Sequence, residues 1–182
     1  NVGDTAGMGA DIFESYVGSV IATMFIGSTY AAGNNSAIIL PIVIITIGLL
    51  ASVLGILSMN LLSGKDPAMA LRVTPMIGLA ALFAGSYFAV SAMNFTIFPY
   101  AMGPFYAMVI GSLVGLLIGL VTEYYTSGDF SPVKNVALAG KTGPATNIIS
   151  GLAVGMYSTI PPILLISVGI YFANEFSGLY GI

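Results

Sequence analysis

The sequence predicts an all-α membrane protein, and three observations carry that reading. Of 182 residues, 57% are hydrophobic and only 6% are charged, whereas a soluble domain carries roughly 25% charged residues. Mean hydropathy is +1.00, so there is too little charge to cover a water-facing surface. The apolar residues also fall in five continuous runs rather than in the alternating pattern of a membrane strand.

The first span is expected over residues 7–32 and the second over 38–62, separated by the turn Gly33-Asn34-Asn35-Ser36. Ser63-Gly64-Lys65-Asp66-Pro67 ends the second, with Asp66 capping the turn before Pro67, and the third covers 73–93. A short loop from Asn94 to Pro99 leads to the fourth span, 100–121. A longer polar connection, Glu123 to Pro144, is broken by Gly128, Pro132, Gly140 and Gly143 and leads to the fifth span, 145–173. Each run reaches the ~20 residues that a spanning helix needs. Within the last, Pro161-Pro162 removes two backbone donors and predicts a kink.

Small residues recur at helical spacing. Gly111, Gly115 and Gly119 form one ridge, Gly151 and Gly155 a second, and Gly48, Ser52 and Gly55 approximate a third. Such ridges let helix backbones approach closely within a bundle. Several tyrosines, among them Tyr100, Tyr106, Tyr171 and Tyr180, sit near span ends, where an aromatic belt forms.

Composition excludes several functions. Four basic residues in the whole chain argue against a nucleic-acid partner. The absence of cysteine and histidine removes disulfides, thiol nucleophiles, imidazole acid–base chemistry and zinc sites of the usual kind. A metal here must be a hard cation held by oxygen. With no initial Met, no basic leader and apolar segments at both ends, the chain is expected to be a piece of a longer protein without a signal peptide.

The four basic residues also predict orientation. Lys65 and Arg72 follow the second span, and Lys134 and Lys141 follow the fourth. Both connections lie on one side of a five-span chain, and basic loops stay in the cytoplasm. Asn1 is therefore expected on the cytoplasmic side, with the first span running outward.

Three of the seven acidic residues, Asp4, Asp11 and Glu14, lie in the first fifteen residues. Acids entering a membrane segment are costly and point to function. On a helix at 100° per residue, with Asp4 at zero, Asp11 falls at about −20°, Glu14 at about −80° and Ser15 at about +20°. These side chains share one face roughly 100° wide, with Gly7 and Gly18 beside them. Asp11 lies about 10 Å along the axis from Asp4, and Glu14 a further ~4–5 Å. Asp4 is thus expected at the mouth, where a carboxylate suits Mg²⁺ ligation or a nucleophilic water. Asp11 and Glu14 are expected deeper, where an i, i+3 pair shares a proton, recruits a cation or pairs with a base from elsewhere. The loop residues Glu123, Asp129, Lys134 and Lys141 are expected to be solvated, Asn147 to cap or bridge helices, and Glu175 has no evident role.

The stretch Asn1-Val2-Gly3-Asp4, then Ala6-Gly7-Met8-Gly9-Ala10-Asp11-Ile12-Phe13-Glu14-Ser15, resembles the sixth helix of membrane-integral pyrophosphatases. Glu123-Tyr124-Tyr125-Thr126-Ser127 and the string from Thr142 to Gly155 also resemble that family. The five spans match its sixth to tenth helices. The family motif has an Asp before the Asn where this chain begins.

The resemblance implies a homodimer of sixteen-helix subunits in two concentric rings, with the first span here in the inner ring and the other four in the outer. It implies an ion pump in which pyrophosphate hydrolysis drives outward transport of Na⁺ or H⁺ across a prokaryotic cell membrane. Asp4 matches an acid that orients the water attacking Mg²⁺-pyrophosphate, and Asp11 matches the gate carboxylate below it. Glu14 matches a gate glutamate that plant vacuolar types carry one turn further on, where this chain has Gly18; position 14 suits sodium-pumping and some proton-pumping prokaryotic types. Ser15 could add an oxygen to a sodium site. Mg²⁺ is the implied cofactor, with K⁺ and Na⁺ as candidate activators; the determinant of K⁺ dependence lies in a later helix.

A secondary transporter or channel that uses Asp11 and Glu14 without hydrolysis is the rival reading. A purely structural membrane subunit ranks last, because it leaves three aligned acids unexplained.

Overall fold

The computed structural model describes residues 2–30, 35–61, 67–96 and 98–182, without the side chains of residues 4, 60, 61 and 67–72. Six α-helices follow one another: α1 (Val2–Thr29), α2 (Ser36–Leu61), α3 (Pro67–Met93), α4 (Gly103–Thr126), α5 (Ser131–Ala139) and α6 (Pro144–Ser177). A 3-10 turn, Gly178–Tyr180, ends the chain's regular structure. No described residue is in a strand. Among the described residues five helical stretches are long and apolar enough to cross a membrane: Thr5–Thr29, Ser36–Met59, Val73–Met93, Gly103–Ala139 and Pro144–Tyr180. The all-helical, five-span expectation is met.

The ends differ in instructive ways. Helix α1 begins before the apolar run, so Asp4 is carried on the helix itself, and it ends at Thr29 rather than at residue 32. Helix α3 is described from Pro67, six residues before the apolar run. Helix α4 continues to Thr126 past Glu123, because one polar residue does not break a helix as Gly128 does. The connection from Glu123 to Pro144 is not irregular throughout: it contains α5, with Pro132 in its first turn. Helix α6 continues through Pro161 and Pro162 to Ser177, and α2 and α3 carry internal prolines of their own at Pro41 and Pro75. The expected turns at residues 33–34 and 63–66, with Lys65 and Asp66, lie outside the described residues, as does the side chain of Arg72.

The chain forms two compact units, Asn1–Tyr106 with Phe176–Ile182, and Ala107–Glu175. In the first unit, α2 and α3 run antiparallel at close range. A Cβ at Gly55 would lie 3.2 Å from the Thr74 carbonyl oxygen and 3.7 Å from the Gly78 Cα. At Gly78 it would lie 3.4 Å from the Ala51 oxygen, and at Gly85 2.5 Å from Ile47 Cγ2. Of the Gly48–Ser52–Gly55 ridge, Gly55 makes the backbone approach; Gly48 meets only the Leu82 side chain, at 3.8 Å, and Ser52 is exposed.

A buried cluster closes one end of this unit: Ala37, Leu40, Val90, Phe95, Phe98 and Tyr180, with Ile26, Tyr30, Ile44, Met93, Met102 and Phe105 packed against it. Phe98 stacks on Tyr180 at 5.1 Å between ring centroids and meets Tyr30 at 5.6 Å. The chain enters the cluster after α3 through Asn94 at φ 45°, a left-handed residue that asparagine tolerates. Gly103 seats α4 there, because a Cβ at that position would collide with the Phe176 carbonyl oxygen and lie 2.7 Å from Ser177 Oγ. Gly103→Ala is expected to cost about 2 kcal/mol by overpacking, read as a lower Tm of the full-length protein.

In the second unit, Gly169 meets Val114 Cγ2, at 3.0 Å from a Cβ position, which brings α6 against α4. Thr142 and Thr146 tie the α5–α6 turn. The Thr142 hydroxyl lies 2.7 Å from the Ala139 carbonyl oxygen and 2.7 Å from the Thr146 hydroxyl, which in turn is 2.8 Å from the Gly143 carbonyl oxygen and 3.1 Å from that of Ala139, so the two single protons are shared within this group. Gly143 in that turn has φ +141°, which favours glycine. Asn147 packs beside Gly140, its Cγ 3.8 Å from a Cβ position there. Lys134, in α5, donates from Nζ to the carbonyl of Asp129 just before that helix, at 2.6 Å. The Gly111–Gly115–Gly119 ridge, expected to pack, faces open space: a Cβ at any of the three meets no described atom within 4 Å.

Candidate functional site

Helix α1 carries every acid of the predicted site on one unbroken rod. Backbone hydrogen bonding fixes 3.6 residues per turn, so the shared face predicted for Asp4, Asp11 and Ser15 follows once the helix runs from Val2. Asp4 lies in the first turn of α1; its side chain, like residue Asn1, is outside the described residues.

Asp11 and Ser15 border one shallow, open pocket on the surface of α1 together with Ile12, Tyr16 and Ser19, all five of them exposed residues of this one helix. This brings together two of the predicted residues and adds a third polar one. Glu14 is exposed on the same helix, one turn from Asp11, and is not part of that lining.

Two residues went unnoticed in the sequence. Ser19 Oγ donates to the Ser15 carbonyl at 2.9 Å, and Thr23 Oγ1 donates to the Ser19 carbonyl at 2.8 Å. The i, i+4, i+8 spacing of Ser15, Ser19 and Thr23 was the available signal. Each of the two hydroxyls spends its proton on its own helix, which leaves oxygen lone pairs as acceptors. Ser19 therefore extends the polar face about 12 Å along the axis from Asp11, whereas Thr23, about 120° round from Asp11, turns toward the side of α1 that meets α2 at Gly27.

On its other side α1 borders an apolar groove of about 830 Å³, where Gly9, Ile12, Phe13 and Tyr16 face residues of α2 and α3 such as Ser52 and Thr74. Farther along, α1 touches α2 directly: a Cβ at Gly27 would lie 2.5 Å from the Ala37 carbonyl oxygen. The polar face thus belongs to a helix in backbone contact with α2 near Gly27 and separated from α2 and α3 by a groove near Tyr16.

The donor set is oxygen only, since the chain has no histidine or cysteine, and that suits a hard cation such as Mg²⁺. Among the described residues no three acids converge, so α1 can supply part of such a coordination shell and needs other segments for the rest. Asp11 and Ser15 present a carboxylate and a hydroxyl one turn apart on the same helix.

Comparison with known proteins matches residues 1–182 to the family model described as "Inorganic H+ pyrophosphatase". A Clostridium tetani protein provisionally named a K(+)-stimulated pyrophosphate-energized sodium pump is 45% identical over 97% of this chain and 27% of its own length. K(+)-insensitive pyrophosphate-energized proton pumps of Moorella thermoacetica and Caldanaerobacter subterraneus are each 39% identical over 100% of this chain, and over 27% and 28% of their own lengths. The chain spans about a quarter of the length of the curated relatives it matches.

Proposed function

The chain belongs to the inorganic H+ pyrophosphatase family, and on that premise we propose that the full-length protein is a membrane pump that couples pyrophosphate hydrolysis to outward transport of Na⁺ or H⁺. The observation that carries this reading is the single polar face of α1, which joins Asp4 in its first turn to the Asp11–Ser15–Ser19 pocket. The names of the relatives supply both cations: one is called a sodium pump, the others proton pumps.

In this reading residues 1–182 are one transmembrane region of a larger one-domain membrane protein, with sixteen helices per subunit in two rings and two subunits. Helix α1 stands in the inner ring, and α2, α3, α4 and α6 in the outer. Asn1 lies on the cytoplasmic side of a prokaryotic cell membrane. Lys134 and Lys141, on or beside α5, then face the cytoplasm with Lys65 and Arg72, as basic loops do.

Asp4 contributes at the mouth. Its carboxylate accepts a hydrogen bond from a water and holds that oxygen toward phosphorus. Attack forms one P–O bond, breaks the bridging P–O bond and yields two phosphates, with the water's proton passing to the carboxylate side. Mg²⁺, when bound, screens the charge on pyrophosphate. Asp4 is the residue of this chain that would ligate it, with other ligands from outside the chain. K⁺ and Na⁺ are the candidate activators: one relative's name records K⁺ stimulation, and two others record K⁺ insensitivity.

Asp11 and Glu14 receive the cation or proton. Carboxylates inside a membrane span are costly unless they have a partner, and in this reading the partner is what the pump carries. Ser15, and beyond it Ser19, offer oxygens for the next step outward.

Phosphate release from added pyrophosphate and Mg²⁺ by the purified full-length protein tests the reading. Steady release is expected. A protein that moves Na⁺ or H⁺ but releases no phosphate is the transporter of the rival reading, and the proposal falls.

A further inference from the structure

Pro41 lies in the second turn of α2 and has no N–H to give the carbonyl four residues back, that of Ala37. An unpaired carbonyl inside a membrane span is costly. The Tyr180 hydroxyl fills the vacancy: it donates to the Ala37 oxygen at 2.7 Å, from 143 residues away in sequence. Ala37 and Tyr180 are both buried. The same oxygen lies where α1 comes closest to α2, 2.5 Å from the Cβ position of Gly27. Tyr30, three residues past Gly27, meets the Tyr180 ring edge-on at 6.5 Å. One carbonyl therefore joins α1, α2 and the 3-10 turn after α6.

We propose that Tyr180 is a positioning residue for the pump: with Ala37 and Gly27 it pins one end of α1, so that the helix works as a lever about Gly27. The groove between α1 and the α2–α3 pair at the level of Gly9 to Tyr16 is the space through which the lever swings. Asp11 is about 24 Å from Gly27 along the helix and Asp4 about 34 Å. A tilt of about 5° then moves Asp4 by about 3 Å and Asp11 by about 2 Å, in the same direction, on a rod of that length. Events at Asp4 are thereby transmitted to Asp11 and Glu14 without any change within the helix. The inference rests on the reading of the chain as part of a pyrophosphate-driven pump.

The test uses the full-length protein in sealed vesicles and reads ions moved per pyrophosphate hydrolysed. Tyr180→Phe keeps the stacked ring and removes only the hydroxyl. Hydrolysis is expected to persist while the ratio falls about threefold, a coupling change of the size seen for residues remote from either site. Pro41→Ala added to Tyr180→Phe returns an N–H to the Ala37 carbonyl, so it is expected to restore Tm and leave the ratio low. Should Tyr180→Phe fail to fold, Gly27→Ala serves instead, since it shifts the pivot and leaves the hydroxyl in place. An unchanged ratio in a folded variant, a ratio restored by Pro41→Ala, or hydrolysis lost in step with pumping would each overturn the lever. Absence of hydrolysis in the unsubstituted protein would instead sink the underlying reading, and the lever with it.

Discussion

Asp4→Asn in the full-length protein is expected to lower pyrophosphate hydrolysis by about 10²–10⁴-fold, the range a positioned acid–base group supplies. The substitution is nearly isosteric and exchanges a charged acceptor for an amide that cannot take a proton from water. Asp4 sits in the first turn of α1, where helix formation does not depend on it, so the Tm is expected to stay within a few degrees. A helix of 28 residues has most of its backbone bonds beyond that turn. Ion transport is expected to fall with hydrolysis, because the driving reaction is gone. Phosphate release measured beside thermal unfolding separates the two causes. Full hydrolysis by the Asn variant would remove Asp4 from the chemistry and leave it an acid that favours the helix N-terminus.

Asp11→Asn and Glu14→Gln are expected to act the other way round. Both lie deeper on the same helix, about 10 and 15 Å from Asp4 along the axis. At that separation they cannot touch the water that Asp4 holds. Neutralising Asp11 removes the carboxylate from the pocket that it forms with Ser15 and Ser19, and pyrophosphate-driven ion uptake is expected to drop at least about tenfold, the cost of roughly 1.4 kcal/mol in binding. Glu14→Gln leaves that pocket's lining intact, so its effect is expected to be smaller and to depend on whether Na⁺ or H⁺ is carried. Vesicles that pump at the full rate with both substitutions would end the account of Asp11 and Glu14 as the gate.

Much of the fold was legible because a membrane span is a simple object in sequence. A run of about twenty apolar residues has few alternatives in a solvent that cannot satisfy backbone groups. What hydropathy could not show was where a helix outlasts its apolar run. Residues 67–72, with Pro67 and Arg72 among them, and Glu123 fall outside the apolar runs and are still helical, since helix propensity and hydropathy are different properties. The nine residues of α5 were hidden for a related reason: Pro132 reads as a breaker unless it is recognised as a first-turn residue.

The site was legible to a similar depth. Three acids and a serine on one helical face follow from spacing alone, and Asp11 and Ser15 do share a pocket. Ser19 and Thr23 escaped because a lone hydroxyl in a span is usually bonded to its own helix, as these are. The Tyr180–Ala37 bond was beyond reach, since no local pattern connects residues 143 apart. Its trace in the sequence was Pro41, whose vacated carbonyl had to find a donor somewhere.

Ion uptake by full-length protein in sealed vesicles, with and without Na⁺, on addition of Mg²⁺-pyrophosphate tests the central claim most directly. Uptake of Na⁺ or H⁺ that begins with pyrophosphate, stops when it is consumed and is lost in Asp11→Asn is the predicted result. Hydrolysis with no ion movement, or ion movement that ignores pyrophosphate, would contradict it.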